Sequence, residues 1–156
     1  MIFGIEKGIL AQQVNCQNVM GAGLAKAIRE KYPIVWDEYH AVCLRSKKED
    51  LLGKVQIIKV EPELYIANIF GQFNYGNGKV NGKCYTDIPK LINAIDKIAE
   101  KFPDKTIYIP EGIGCGYAGG DWEEVNSKIL KLNRENIIIW NTLKEKEVAL
   151  SEDKEI

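Results

Sequence analysis

Apolar positions along this chain follow two alternating rhythms. The run "ILAQQVN", from Ile9 to Asn15, reads as a strand, and "AGLAKAIREKY" after it places Leu24, Ala27, Ile28 and Tyr32 at helical spacing. Pro33 opens a second helix, "PIVWDEYHAVCLRSK", in which Val35, Trp36, Tyr39, Val42 and Cys43 form one apolar stripe. "KVQIIKV" and "LYIANIF" are β-rich runs separated only by "EPE", the pattern of neighbouring strands joined by a tight turn. A polar, glycine-rich loop follows, "GQFNYGNGKVNGK", and Thr86 is the expected cap of the next helix. There Ile88, Leu91, Ile92, Ile95, Ile98 and Ala99 keep the 3.6 period, and Pro89 fits because it falls in the first turn. "TIYIP" is a short apolar strand of the kind buried on both faces. Trp122, Val125, Ile129 and Leu132 line a last helix, and "NIIIW" supplies the final strand.

Strands alternating with helices predict an α/β sheet covered by helices on both faces, as one domain over residues 1–143. The remainder, 144–156, "KEKEVALSEDKEI", is a charge-rich tail expected to fray. A chain of 156 residues can bury about two thirds of its unfolded surface, so it needs no disulfide or metal to hold together. No stretch approaches the ~18 apolar residues of a membrane span. "MIFGIEKGIL" carries an acidic residue and a glycine where a signal peptide would be basic and then apolar, so a cytoplasmic location is expected; a monomer is expected separately. A net charge of -1 supplies no field for nonspecific duplex binding. Cys16, Cys43, Cys84 and Cys115 form no C-x-x-C pair, and His40, the one histidine, is not spaced to join them. No zinc site and no cofactor are expected, and the thiols read as small core residues.

Two loops carry the chemistry, and in an α/β sheet both belong at the carboxyl ends of strands, where ligands bind. In "NCQNVMGAG", Gly21 and Gly23 bracket Ala22 in a strand-to-helix turn. Either this is simply a tight turn, or backbone N–H groups and the positive end of the next helix receive an anion there. A dinucleotide fingerprint would need glycine at position 26, which is lysine. In "GIGCGYAGGDW" five glycines, Gly112, Gly114, Gly116, Gly119 and Gly120, fall within nine residues. A loop built so densely of glycine can wrap a diphosphate with its amides. Asn15, at a strand end, either caps the turn or hydrogen-bonds a sugar hydroxyl.

"VNCQNVMGAGLAKAIREKYP", "ANIFGQFNYG", "CYTD" and "IPEGIGCGYAGGDWEEV", in this order, resemble the macro domain family, from about Ile9 to Trp140. The likeness is to stand-alone members akin to ADP-ribose 1''-phosphate phosphatases and terminal ADP-ribose hydrolases. It implies a three-layer α/β/α domain with a mixed, mostly parallel sheet that holds ADP-ribose in a cleft at the sheet crest. It also implies that Asn15 contacts the distal ribose, that Gly21, Ala22 and Gly23 run beside it, and that Gly114, Cys115, Gly116, Tyr117, Ala118 and Gly119 wrap the diphosphate.

The chain departs from the family where catalysis is concerned. Many macro domains read the adenine amino group with the aspartate of a Gly-Asp pair near the first strand, and "MIFGIEKG" offers none. Hydrolases that use a lysine intermediate carry a lysine after the strand matching "LYIANIF" and an aspartate where Ala118 aligns; this chain has "GQF" and alanine. Cys115 has no basic residue in "GYAGGDW" to lower its pKa, so it reads as a small loop residue rather than a nucleophile. Asp121 is the candidate general base, although an aspartate before "WEEV" is also a good helix cap. Asn15 and backbone amides could alternatively position a water. His40, Tyr85, Asp87, Lys79 and Lys83 read as structural or solvated residues near the presumed cleft. The leading expectation is an enzyme hydrolysing ADP-ribose 1''-phosphate or an ADP-ribosyl linkage on a modified protein or nucleic acid. A module that binds ADP-ribose without turnover is the alternative, and a generic nucleotide or single-stranded RNA binder is a third reading.

Overall fold

A computed structural model describes residues 1–141; the segment expected to fray lies outside the described residues. The elements run β1 (Gly8–Asn15), α1 (Gly23–Lys31), α2 (Pro33–Arg45), α3 (Lys48–Leu51), β2 (Val55–Glu61), β3 (Leu64–Gln72), α4 (Gly78–Asn81), α5 (Ile88–Lys101), β4 (Ile107–Pro110), α6 (Trp122–Lys131) and β5 (Ile137–Trp140). The single sheet has the order β2-β3-β1-β4-β5. β1 pairs parallel with β3 and β4, and β4 pairs parallel with β5. Among the named strands only the β2–β3 pair is antiparallel, as its two-residue connection, Pro62-Glu63, favours.

Side-chain alternation along the central strands divides the interior into two cores. Leu10 and Val14 of β1 and Leu64, Ile66 and Phe70 of β3 meet Ile28 of α1 and Val35 and Tyr39 of α2. Ile9 and Ala11, Ala67 and Ile69, and Ile107 and Ile109 face the other way, against Leu91, Ala94, Ile95 and Ile98 of α5 and Val125 and Ile129 of α6. Three layers result, α/β/α, and β1 is buried on both faces. Every fully buried Leu or Ile contributes roughly 1.5–3 kcal/mol, so two apolar faces make β1 the axis of the fold.

The helix boundaries follow from local chemistry, with one correction. Thr86 does not cap α5. Asp87 does, its carboxylate accepting from the Lys90 N–H at 3.2 Å, while Thr86 is 7% exposed and gives its hydroxyl to the Gly114 carbonyl. A β-branched hydroxyl and a carboxylate compete for the cap, and the hydroxyl has a better partner elsewhere. The loop "GQFNYGNGKVNGK" also contains the short helix α4, closed by Gly82 at φ 73°. Among the described residues no helix is long and apolar enough to cross a membrane.

Candidate functional site: a cleft between two loops

The carboxyl ends of β1, β3 and β4 leave a cleft of about 590 Å³. One wall is the turn from Val19 into the start of α1, and the facing wall is the loop from Glu111 to Ala118. The floor holds Gln12, Gln13 and Asn15, and Gln72, Tyr75 and Lys79 close one end.

The first wall is held in place by its own side chains. Asn15 donates its amide to the Val19 carbonyl at 2.8 Å, and its Oδ1 accepts from the Gln17 N–H at 2.9 Å. Tyr39, fully buried beneath it, donates to the Asn15 carbonyl at 2.6 Å. Asn15 thus braces the turn while lining the cleft, and one amide N–H remains for a ligand. Asn18, in the left-handed region at φ 62°, pairs with Nδ1 of His40, and His40 stacks on Trp36. Arg29 lies over the same Trp36 and donates to the Met20 carbonyl at 3.0 Å. His40 is therefore a brace of this wall, outside the cleft lining.

These contacts present an uncapped helix end. Ala22 is the α1 cap residue without any side-chain bond. Within the described residues no acceptor takes the N–H groups of Gly21 through Ala25. Unpaired first-turn amides and the helix dipole together form an anion-binding end.

The second wall repeats that feature with a different construction. The loop is pinned from behind: Thr86 donates to the Gly114 carbonyl at 2.6 Å, Tyr85 N–H to the Ala118 carbonyl at 2.6 Å, and Gly78 N–H to the Tyr117 carbonyl at 2.7 Å. With its carbonyls bound outward, the loop leaves the N–H groups of Gly114, Gly116, Tyr117 and Ala118 without acceptors among the described residues. Gly114 has φ 72°, and a Cβ there would meet Gln13 Oε1 and Thr86 Oγ1 at 3.0 Å. Gly21 and Gly116 are different. Neither has positive φ nor any atom within 4 Å of a would-be Cβ, so the fold itself does not require glycine at either position.

The cleft gathers Asn15, Gly21, Ala22, Gly23, Gly114, Gly116, Tyr117 and Ala118, and leaves three expected residues outside its walls. Cys115 packs toward the second core with its thiol against the Ile113 carbonyl at 3.2 Å. Gly119 backs onto Lys83, whose carbonyl oxygen would lie 2.1 Å from a Cβ. Asp121 is exposed and caps α6, accepting from the Glu123 N–H at 3.1 Å. A terminal cap satisfies a local N–H, and that points its carboxylate along the helix start instead of over the crest.

Sequence reasoning missed Gln12, Gln13, Gln72 and Glu111, which line the cleft, and Thr86, which braces its second wall. Gln13 donates both to Gln72 Oε1 and to Thr86 Oγ1 at 2.9 Å, tying the floor to the second wall through Gly114. The available signal was "QQ" inside an otherwise apolar central strand, where each amide must find a buried partner.

Burial pushes the Cys115 thiol up to about 11, helped by the Asp121 carboxylate, and burial does the same to Cys16. Both thiols are neutral near pH 7, which agrees with a loop cysteine that is not a nucleophile. A thiol held neutral to about 11 in the fold, but ionising near 8.5 once unfolded, binds its proton more tightly in the native state. That stabilisation is complete below about pH 8.5 and is lost as pH rises toward 11. The urea midpoint should therefore fall between about pH 8 and pH 10.5, and a smaller fall in the Cys115→Ala variant would assign part of it to this thiol.

No family model matches the chain. A curated relative, the DNA ADP-ribosyl glycohydrolase of Mycobacterium tuberculosis, is 27% identical over 124 residues, 78% of this chain and 33% of that protein. The chain thus spans about a third of the length of the curated relatives it matches. Among solved structures, a Bacteroides thetaiotaomicron protein superposes with TM-score 0.76 at 23% identity, over 88% of this chain and 90% of that one. The macrodomain of Mycobacterium tuberculosis DarG gives 0.69 at 21%, covering 89% and 91%. Thermosipho africanus DarTG in complex with ADP-ribose gives 0.69 at 20%, covering 90% of this chain and 39% of that one. The chain therefore has the three-layer α/β/α fold of the macrodomains it superposes on, the fold that the resemblance of its loops implied.

Proposed function

We propose that the chain binds ADP-ribose across the crest cleft and hydrolyses an ADP-ribosyl linkage there. The observation that carries this reading is the pair of facing N–H arrays, Gly21 through Ala25 on one wall and Gly114, Gly116, Tyr117 and Ala118 on the other, without acceptors among the described residues. A diphosphate offers acceptors to both walls at once, whereas a monophosphate fills only one. The glycohydrolase relatives and the neighbour that holds ADP-ribose support the same ligand and the same class of bond. The linkage is on a modified macromolecule, with ADP-ribose 1''-phosphate as the small-molecule counterpart.

In this reading the two arrays fix the diphosphate, and the free N–H of Asn15 orients the sugar beyond it. Glu111 is the one carboxylate lining the cleft among the described residues, and its Oε2 accepts from Asn141 at 2.6 Å. It is the group that would take the proton of an attacking water. Lys79 at the rim, 5.9 Å from the Tyr117 ring centroid, adds positive charge where the ligand enters.

A binding module without turnover is the second reading, favoured by the position of Asp121 outside the cleft. Calorimetric titration tests the ligand: ADP-ribose should bind at least tenfold tighter than AMP. Release of ADP-ribose from an ADP-ribosylated oligonucleotide, and of phosphate from ADP-ribose 1''-phosphate, then tests the chemistry. Glu111→Gln should keep the binding isotherm and lose turnover by about 10²-fold or more. Selective binding with neither product released would establish the non-catalytic reading, and equal affinity for AMP would overturn both.

A further inference from the structure

The floor of the cleft contains a chain of amides whose direction is set from the far side of the sheet. Gln56 on β2 donates its Nε2 to the Glu38 carbonyl of α2 at 2.9 Å. A backbone carbonyl can only accept, so Gln56 must turn its Oε1 inward. That oxygen accepts from Asn68 Nδ2 at 3.1 Å, which turns Asn68 Oδ1 toward β1, where it accepts from Gln12 Nε2 at 2.7 Å. Each amide fixes the next. What is left at the end of the relay is Gln12 Oε1, buried and without any partner, on a residue 2% exposed that lines the cleft.

A second relay shows that this end differs from the other unpaired oxygen of the floor. Gln72 donates to the Asn74 carbonyl and Thr86 to that of Gly114, and both in turn accept from Gln13 Nε2. Gln13 Oε1 is also left over, but it is walled in by Gly71 and Gly114, whose would-be Cβ atoms lie 2.3 and 3.0 Å away. Gln13 braces the loop. Of the two, only Gln12 Oε1 has no such glycine wall.

We infer that Gln12 is a specificity-determining residue whose amide oxygen accepts a hydrogen bond from a sugar hydroxyl adjoining the bound diphosphate. Both walls present backbone N–H donors, and these suit phosphate oxygens. The floor supplies a fixed acceptor, which a phosphate oxygen cannot satisfy. Gln12 lies on β1, between the strand-to-helix turn that follows β1 and the loop that follows its neighbour β4. A diphosphate spanning the walls passes over β1, so the first groups on either side of it come nearest the floor. In ADP-ribose both of these are riboses. An acceptor left unpaired in the interior is costly, and a ligand hydroxyl that fills it gains more than the same hydroxyl would in water.

This inference rests on the ADP-ribose reading above, and the experiment separates the two. Gln12→Met keeps the volume and removes the acceptor. Because it also leaves Asn68 Oδ1 without its donor, the double variant Gln12→Met/Asn68→Leu removes both partners and guards against misfolding. Affinities of wild type and both variants are measured for ADP-ribose, ADP and inorganic pyrophosphate by competition. Both variants should lose about tenfold in ADP-ribose affinity while pyrophosphate is unchanged. An unchanged ADP affinity would place the donor on the terminal ribose, and an equal loss for ADP would place it on the ribose of adenosine; either result supports the inference. Unchanged ADP-ribose affinity, or a parallel loss for pyrophosphate, would overturn it while leaving ADP-ribose binding intact. Wild-type protein that does not bind ADP-ribose would remove the underlying reading, and the inference with it.

Discussion

Gly116→Glu should abolish ADP-ribose binding in a protein that melts at the wild-type temperature. Gly116 lines the cleft in a φ region open to any residue, and a Cβ there meets nothing within 4 Å, so the new side chain costs the fold almost nothing. Its carboxylate would enter the array formed by the N–H groups of Gly114, Gly116, Tyr117 and Ala118 and occupy the place proposed for a phosphate. Like charges at close quarters cost several kcal/mol, so affinity should fall by on the order of 100-fold or more. Gly23→Glu is a less clean probe: Gly23 sits at φ 57°, where any side chain strains the start of α1 and confounds stability with binding. A full-strength isotherm for Gly116→Glu, measured beside an unchanged thermal melt, would remove the Glu111–Ala118 loop from the ligand site.

The largest effect on stability is expected from the smallest substitution, Gly119→Ala. The residue has φ 79°, and its added Cβ would lie 2.1 Å from the Lys83 carbonyl oxygen and 3.1 Å from its carbon. Backbone cannot give way as a flexible side chain does, so left-handed strain and overpacking combine to about 3 kcal/mol. For a chain of this size, that lowers the melting temperature by roughly 6–12 °C. Gly112→Ala is the control, since φ is 83° but no atom lies within 4 Å. Only the strain remains there, about 1 kcal/mol. Equal melting temperatures for the two variants would show that the loop does not seat on Lys83 as described.

The ease with which the fold was read from the chain has a physical cause. Ile88 to Ala99 keeps one face apolar through three turns, and "TIYIP" is too short and too apolar to be anything but a buried strand. Such segments announce themselves because burial dictates each position independently. The cleft was legible where backbone does the work: the glycines at 21, 23, 114 and 116, readable directly in the chain, all line it. It was illegible where side chains choose among partners. Thr86 and Asp87 were both able to cap α5, and only the placement of Gly114 beside Thr86 decides between them. Asp121 had two uses open to it, and the direction of α6 leaves it the cap. The amide relays depend on β1, β2 and β3 lying side by side, a fact of topology that "QQ", "N" and "Q" at positions 12, 13, 68 and 56 do not carry individually.

The position of β1 at the centre of the sheet also governs when the molecule is finished. Synthesised first, β1 cannot be covered on its β4 side until Ile107 arrives to pair with Ile9, near the end of the described chain. Parallel pairings of such long sequence separation are reached slowly, because the intervening loop must be closed before any contact rewards it. The turn after β1 can gather with α1 and α2 early, as all three are neighbours in sequence. The facing loop follows β4, so its half of the cleft is assembled last. A nascent or truncated chain ending before Ile107 would carry one wall of the cleft and no second, so on the proposed reading an immobilised diphosphate ligand would select for chains that have completed folding.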